Sequence, residues 1–205
     1  MRKNASRTPS RRLARIATLA VIPLSLLGAG ALVSTASYAA FSDTTSNPSN
    51  NWAAGTVELS NSSPNSAAFS ASNLKPGSTG TTCIAVTSTG TLPAAVKLYA
   101  ANASQTKSIG DWVNLSVTQG TGGGNGSCDG FSALGSGASV YNNSLSSFMN
   151  SVTDYRGGVG NWSTAGGSNP ETRTFQITYT VSGDAPSSIM GGTASVNFTW
   201  EAQNQ

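Results

Sequence analysis

Histidine is absent from all 205 residues of this chain. That gap excludes His-dependent catalytic triads and the H-E-x-x-H zinc site of metalloproteases in one step. Charge is nearly as scarce, with only 9% of residues ionisable as Asp, Glu, Lys or Arg. Beyond position 39 the basic residues are Lys75, Lys97, Lys107, Arg156 and Arg173, each standing alone. Isolated cations build neither a nucleic-acid footprint nor a patch for an anionic membrane, so no nucleic-acid partner is expected. The acids are Asp43, Glu58, Asp111, Asp129, Asp154, Glu171, Asp184 and Glu201, and no two are spaced so as to be forced together. A glycosidase-type pair could arise only through tertiary contact. No D-x-D-x-D-G run marks a calcium loop. The glycine-rich stretch 119–130 lacks the Lys-Ser/Thr that completes a phosphate loop, and it reads as a long surface loop. No catalytic residue, metal site or cofactor is expected.

Only one long apolar run is present, Ile16 to Val33, and what surrounds it decides its meaning. Before it stand Arg2, Lys3, Arg7, Arg11, Arg12 and Arg15 with no acid among them; after it come Ser37 and Ala39. Basic, apolar and small-residue segments in that order form a secretory signal, with cleavage between Ala39 and Ala40. The alternative is an uncleaved anchor, since the run is just long enough to span a bilayer. Pro23, Gly28 and Gly30 interrupt it, however, and favour cleavage. The expected partition is a signal peptide over 1–39, an N-terminal arm over 40–55 and a domain over 56–205. Without the leader, five basic residues face eight acidic ones, and the sign of the net charge reverses.

The two cysteines, Cys83 and Cys128, both lie beyond the leader. Exported thiols in an even count are usually bridged, so a disulfide between them is expected. The rest of the chain reads as short strands divided by turn formers. Val113, Leu115 and Val117 alternate with polar neighbours; so do Phe175, Ile177, Tyr179 and Val181, and Val196, Phe198, Trp200 and Ala202. In the last strand Asn197, Thr199 and Glu201 are expected to face outward. Shorter strands are expected at 56–59, 83–87 and 95–100, with a weaker one at 67–70. Asn73–Gly77 is a turn, and a helical turn or two over Asn143–Met149 is capped by Asn143 or Ser144. About eight strands without a βαβ rhythm predict an all-β, two-sheet sandwich, jelly-roll-like by preference over another Greek key.

After cleavage the chain would begin Ala40-Phe41-Ser42-Asp43, and a Phe so near a terminus is unfavourable unless covered. The arm either folds back on its own domain or adds to a strand edge of a neighbouring copy. Four segments carry a family resemblance: Ala39–Asp43, Trp52–Leu59, Asn73–Gly77 and Phe198–Gln203. In that order and spacing the chain resembles the TasA–camelysin family of exported bacterial proteins, through about residue 100 and again at the last strand. Residues 101–170 match only in general character. The resemblance implies a secreted jelly-roll domain that assembles into biofilm-matrix fibres. In these the N-terminal segment of one subunit completes a sheet of the next. Carried over by position, the donated segment is Ala40, Phe41, Ser42, Asp43 and onward to about Pro48, with Phe41 as anchor.

The leading expectation is a non-enzymatic structural protein of the cell surface or extracellular matrix. Its partners would be a signal peptidase and further copies of itself, joined head to tail. A second reading is a monomeric polysaccharide-binding module stacking sugars on Trp112, Tyr155 or Trp162. The third is a metalloprotease, since some family members carry that label; the missing histidines argue against it. The cysteine pair departs from the family's fibre-forming members and suggests a locally stapled variant.

Overall fold

The computed structural model describes residues 42–44, 56–64, 68–69 and 74–205. Their strands are β1 (Ser42–Thr44), β2 (Leu59–Asn61), β3 (Thr79–Ser88), β4 (Ala94–Gln105) and β5 (Val113–Thr121). There follow β6 (Ser132–Ala133), β7 (Ser139–Ser144), β8 (Val159–Thr164), β9 (Glu171–Val181) and β10 (Ala194–Asn204). One short helix, α1, spans Leu145–Ser151, and 3-10 turns occupy Ile109–Trp112 and Ser187–Ile189.

All pairings are antiparallel and form two sheets. One runs β1-β10-β4-β8; the other runs β2-β3-β9-β5, with β6 and β7 following each other along the outer edge of β5. The alternating side chains of the long strands meet between the sheets. Val96, Leu98, Trp200 and Ala202 come from the first sheet, and Ile84, Val86, Leu115, Val117, Phe175 and Ile177 from the second. Phe175 is central, its ring 5.3 Å from Trp200 and 6.4 Å from Trp162. The two-sheet sandwich expected from the period-two pattern is therefore what forms, because each sheet has one apolar face and buries it on the other.

Three local expectations change. β4 runs on to Gln105 rather than stopping near Ala100, because β10 pairs with it as far as Ala194↔Gln105. β8 was not expected as a strand; Trp162 and Thr164 are its inward residues. The strand expected at 56–59 is shifted to Leu59–Asn61, while Ala68 and Phe69 are not in a strand. The helix appears as expected: the Ser144 hydroxyl accepts from the Ser147 N–H at 3.1 Å, capping the first turn. Its buried Phe148 packs on Tyr141 and Phe198, with centroids 5.0 and 5.6 Å apart, and so closes part of the sandwich beneath β10.

Candidate functional site

Strand β10 has two unequal sides. Along one it pairs with β4 from Ala194 to Asn204, with a register shift between Ser195 and Asn197. Along the other, β1 pairs only with Glu201, Ala202 and Gln203. Among the described residues no strand pairs that side from Ala194 to Trp200. An unpaired run of backbone N–H and C=O groups is a ready template for strand addition. Beside it a groove of about 1230 Å³ opens between the sheets, with Val196, Phe198 and Trp200 of β10 facing Leu115, Tyr179 and Val181. The two large hydrophobic side chains most exposed among the described residues, Met190 at 71% and Leu74 at 37%, both line it. Sequence reasoning missed this rim; the signal was there in an apolar Ile189-Met190 pair inside an otherwise polar connection.

Of the residues expected to form the donated arm, Ala40 and Phe41 lie outside the described residues, as does the cleavage position Ala39. Ser42 and Asp43 begin β1, where their backbone lies opposite Gln203 and Ala202 of the same chain. Of the two placements open to the arm, this short piece adopts the fold-back onto its own sheet.

The edge of β3 is built quite differently. β2 covers Val86 to Ser88. Next, the Ser62 N–H donates to the Ala85 carbonyl at 2.8 Å, while the Ser62 hydroxyl accepts from the Ala85 and Asn125 N–H groups. The Gly126 N–H then donates to the Cys83 carbonyl at 3.0 Å, and Thr82 Oγ1 donates to the Gly126 carbonyl. Gly124 and Ser127 exchange backbone hydrogen bonds around Asn125 and Gly126, both at positive φ, the geometry for which Asn-Gly is suited. Cys83 and Cys128 are joined in a disulfide with Cα atoms 5.1 Å apart, and Cys83 is fully buried. The expected long loop at 119–130 is thus corrected. β5 continues to Thr121, and the glycines allow the remainder to turn back tightly against β3.

Carboxylates are engaged locally rather than gathered. Glu171 accepts from the Ala165 and Gly166 N–H groups, Asp154 from Gly157, and Asp129 from the Ser127 hydroxyl. Glu201 lies on the outward-pointing side of β10, as expected, yet it is only 8% exposed. The Tyr99 hydroxyl donates to its Oε2 at 2.9 Å and the Gln203 amide to its Oε1. Burial, then that hydrogen bond and the adjacent negative charge, push the Tyr99 hydroxyl up to about 12. Burial raises Tyr141 and Tyr155 too.

Among the described residues no three His, Cys, Asp or Glu side chains come together to hold a metal ion, so a zinc ion finds no fitting donor set there. The proposed sugar platforms fare unevenly. Trp162 is 4% exposed with the Arg173 guanidinium 5.8 Å from its ring centre, which corrects its assignment as an open stacking surface. The Tyr155 hydroxyl is held by the Ala95 carbonyl, and Trp112 is half-buried. No helix among the described residues is long and apolar enough to cross a membrane.

Comparison with known proteins gives one finding. The family model described as camelysin metallo-endopeptidase matches residues 11–111, just under half of the chain. No curated protein matches. The family match agrees with the resemblance read from the residues and spans three of its four segments.

Proposed function

We propose that this member of the TasA–camelysin family is an exported, non-enzymatic structural subunit. Copies assemble head to tail at the cell surface or in the extracellular matrix, the N-terminal segment of one copy adding to β10 of the next. The observation that carries the reading is the edge of β10, of which β1 fills only three positions among the described residues, beside a large apolar groove. β1 fills three positions of that edge in its own chain. The same antiparallel register, continued, would set residues 45–51 beside 200–194. A segment that can pair within its own chain can make the same pairing in a neighbour, which is domain swapping; a head-to-tail contact of that type propagates into filaments rather than closing. Removal of the leader by a signal peptidase is then the trigger, because residues preceding Ala40 would obstruct docking.

The printed family description names a metallo-endopeptidase, but the complete lack of histidine deprives a zinc ion of its usual ligands. The test is electron microscopy of purified Ala40–Gln205 beside a version carrying extra residues before Ala40. Filaments from the first and none from the second are expected. Monomers from both, across pH, salt and concentration, would overturn the proposal.

A further inference from the structure

The short pairing of β1 sets a register that can be followed along β10. Thr44 lies opposite Glu201. Each further residue of the arm moves one residue down β10, which brings Asn51 beside Ala194 and Trp52 beside Thr193. The register shift near this end belongs to β4, where Asn102 takes a positive φ, so β10 keeps its own period throughout.

The chain must then reach Thr56, which is fixed at the opposite end of the sandwich. The Thr56 N–H donates to Thr91 Oγ1 at 3.0 Å, and its carbonyl accepts from the Leu92 N–H at 3.3 Å. Two residues on, Ala94 lies opposite Asn204. The 11 residues of β10 span about 33 Å at the rise of a strand. The links from Asn51 to Thr56 reach about 18 Å at full extension. An arm that follows β10 as far as Ala194 therefore cannot return to Thr56 of the same chain. A neighbouring copy is under no such constraint, because its Thr56 end can stand beyond the Ala194 end of the acceptor.

We propose that the Ala194 end of the β10 edge is filled only between copies, and that Trp52 of the donor covers Met190 and Leu74 of the acceptor. Met190 is 71% exposed and stands three residues before Thr193. Its turn is tied down, since the Thr106 N–H donates to the Thr193 carbonyl at 2.8 Å and Lys107 Nζ donates to the Met190 carbonyl. Between Phe41 and Thr56 the arm has one large apolar side chain, Trp52. A thioether against an aromatic ring is a favourable contact, and exposed apolar side chains at a groove mark a place for a partner. The inference rests on the head-to-tail reading and adds the junction to it: the Thr56 end of one subunit meets the Met190 end of the next.

The first test introduces Asn51→Cys and Ala194→Cys together into Ala40–Gln205 and oxidises the protein once electron microscopy shows filaments. Linked oligomers are expected, with no 51–194 link inside a single chain on peptide mass spectrometry. The second uses the unaltered chain and decides the matter if the cysteine pair prevents assembly. Hydrogen peroxide is added to monomers and to filaments, and oxidation of Met190 is followed beside that of the buried Met149. Met190 is expected to react at least about threefold more slowly in filaments, since oxidation follows exposure. Trp52→Ala should return filaments to the monomer rate or prevent them altogether. Filaments without the 51–194 link, a link within one chain, equal oxidation of Met190 in both states, or protection that survives Trp52→Ala would each overturn the junction while leaving head-to-tail assembly standing. Absence of filaments from the unaltered chain would remove both.

Discussion

Along β3, strand β2, the Ser62 hydroxyl and the Asn125–Gly126 turn succeed one another from Ser88 to Thr82, and a disulfide fixes the turn in place. Along β10, three residues of β1 cover Glu201 to Gln203, and the adjoining stretch borders an apolar groove. Natural sheets blunt their edges because an exposed edge recruits other chains. Of these two edges, the one covered by hydrogen bonds and a covalent link from Ser88 to Thr82 is the poorer template for strand addition, and the one beside the groove is the better. In the proposed assembly this contrast gives the filament its direction, with strand addition along β10 and no lateral branching through the covered part of β3.

The comparison can be pressed hardest at the groove's inner wall. Trp200 is 1% exposed and packs on Phe175. Trp200→Ala should cost about 3–5 kcal/mol, as truncation of a buried aromatic does, and should remove assembly along with stability. Urea unfolding of Ala40–Gln205 measures the first effect and sedimentation the second. Opening the protected edge comes next. Replacing Cys83 and Cys128 together by Ala releases a 45-residue separation, worth up to about 4 kcal/mol on the chain-entropy estimate. It should also produce laterally associated or branched aggregates in electron micrographs. Unchanged filaments of unaltered width would show that the stapled turn does not guard β3.

Subtler changes sharpen the same contrast. Ser62→Ala removes the hydroxyl that accepts from Ala85 and Asn125, for about 1 kcal/mol. Faster hydrogen exchange at the Ala85 amide, with β10 amides unaffected, is the expected readout. Where β1 covers β10, the Tyr99 hydroxyl of β4, bonded to Glu201, is pushed up from its ordinary 10.0 to about 12. A folded-state value above the unfolded one means that its contribution is intact below pH 10 and is lost as pH rises toward 12. Glu201→Gln removes the negative charge and should lower the Tyr99 midpoint part of the way, leaving the share due to burial. Ultraviolet titration of tyrosinate reads this directly.

Much of this architecture was legible in the residues, and the rest was not for definable reasons. The alternation of Phe175, Ile177 and Val181 and of Val196, Phe198 and Trp200 marked strands and inner faces at once. Ser144 as a helix cap was equally readable. The edges were not, because whether a strand has one neighbour or two depends on sheet order, which alternation does not encode. Low complexity hid the ordered turn at Asn125-Gly126: glycine-rich composition suggests a loop, while the Asn-Gly pair inside it carries the turn geometry. Glu201 faces the expected side, but its burial depends on Tyr99 and Gln203, supplied by a neighbouring strand and by β10 itself.

Whether the arm pairs within its own chain or in a neighbour can be measured by placing cysteines at the directly opposed positions Ser42 and Gln203 and oxidising the assembled protein. Donation between copies predicts a ladder of covalently linked oligomers on a denaturing gel. Cross-linked monomers alone, at every concentration and with the variant still forming filaments, would contradict it.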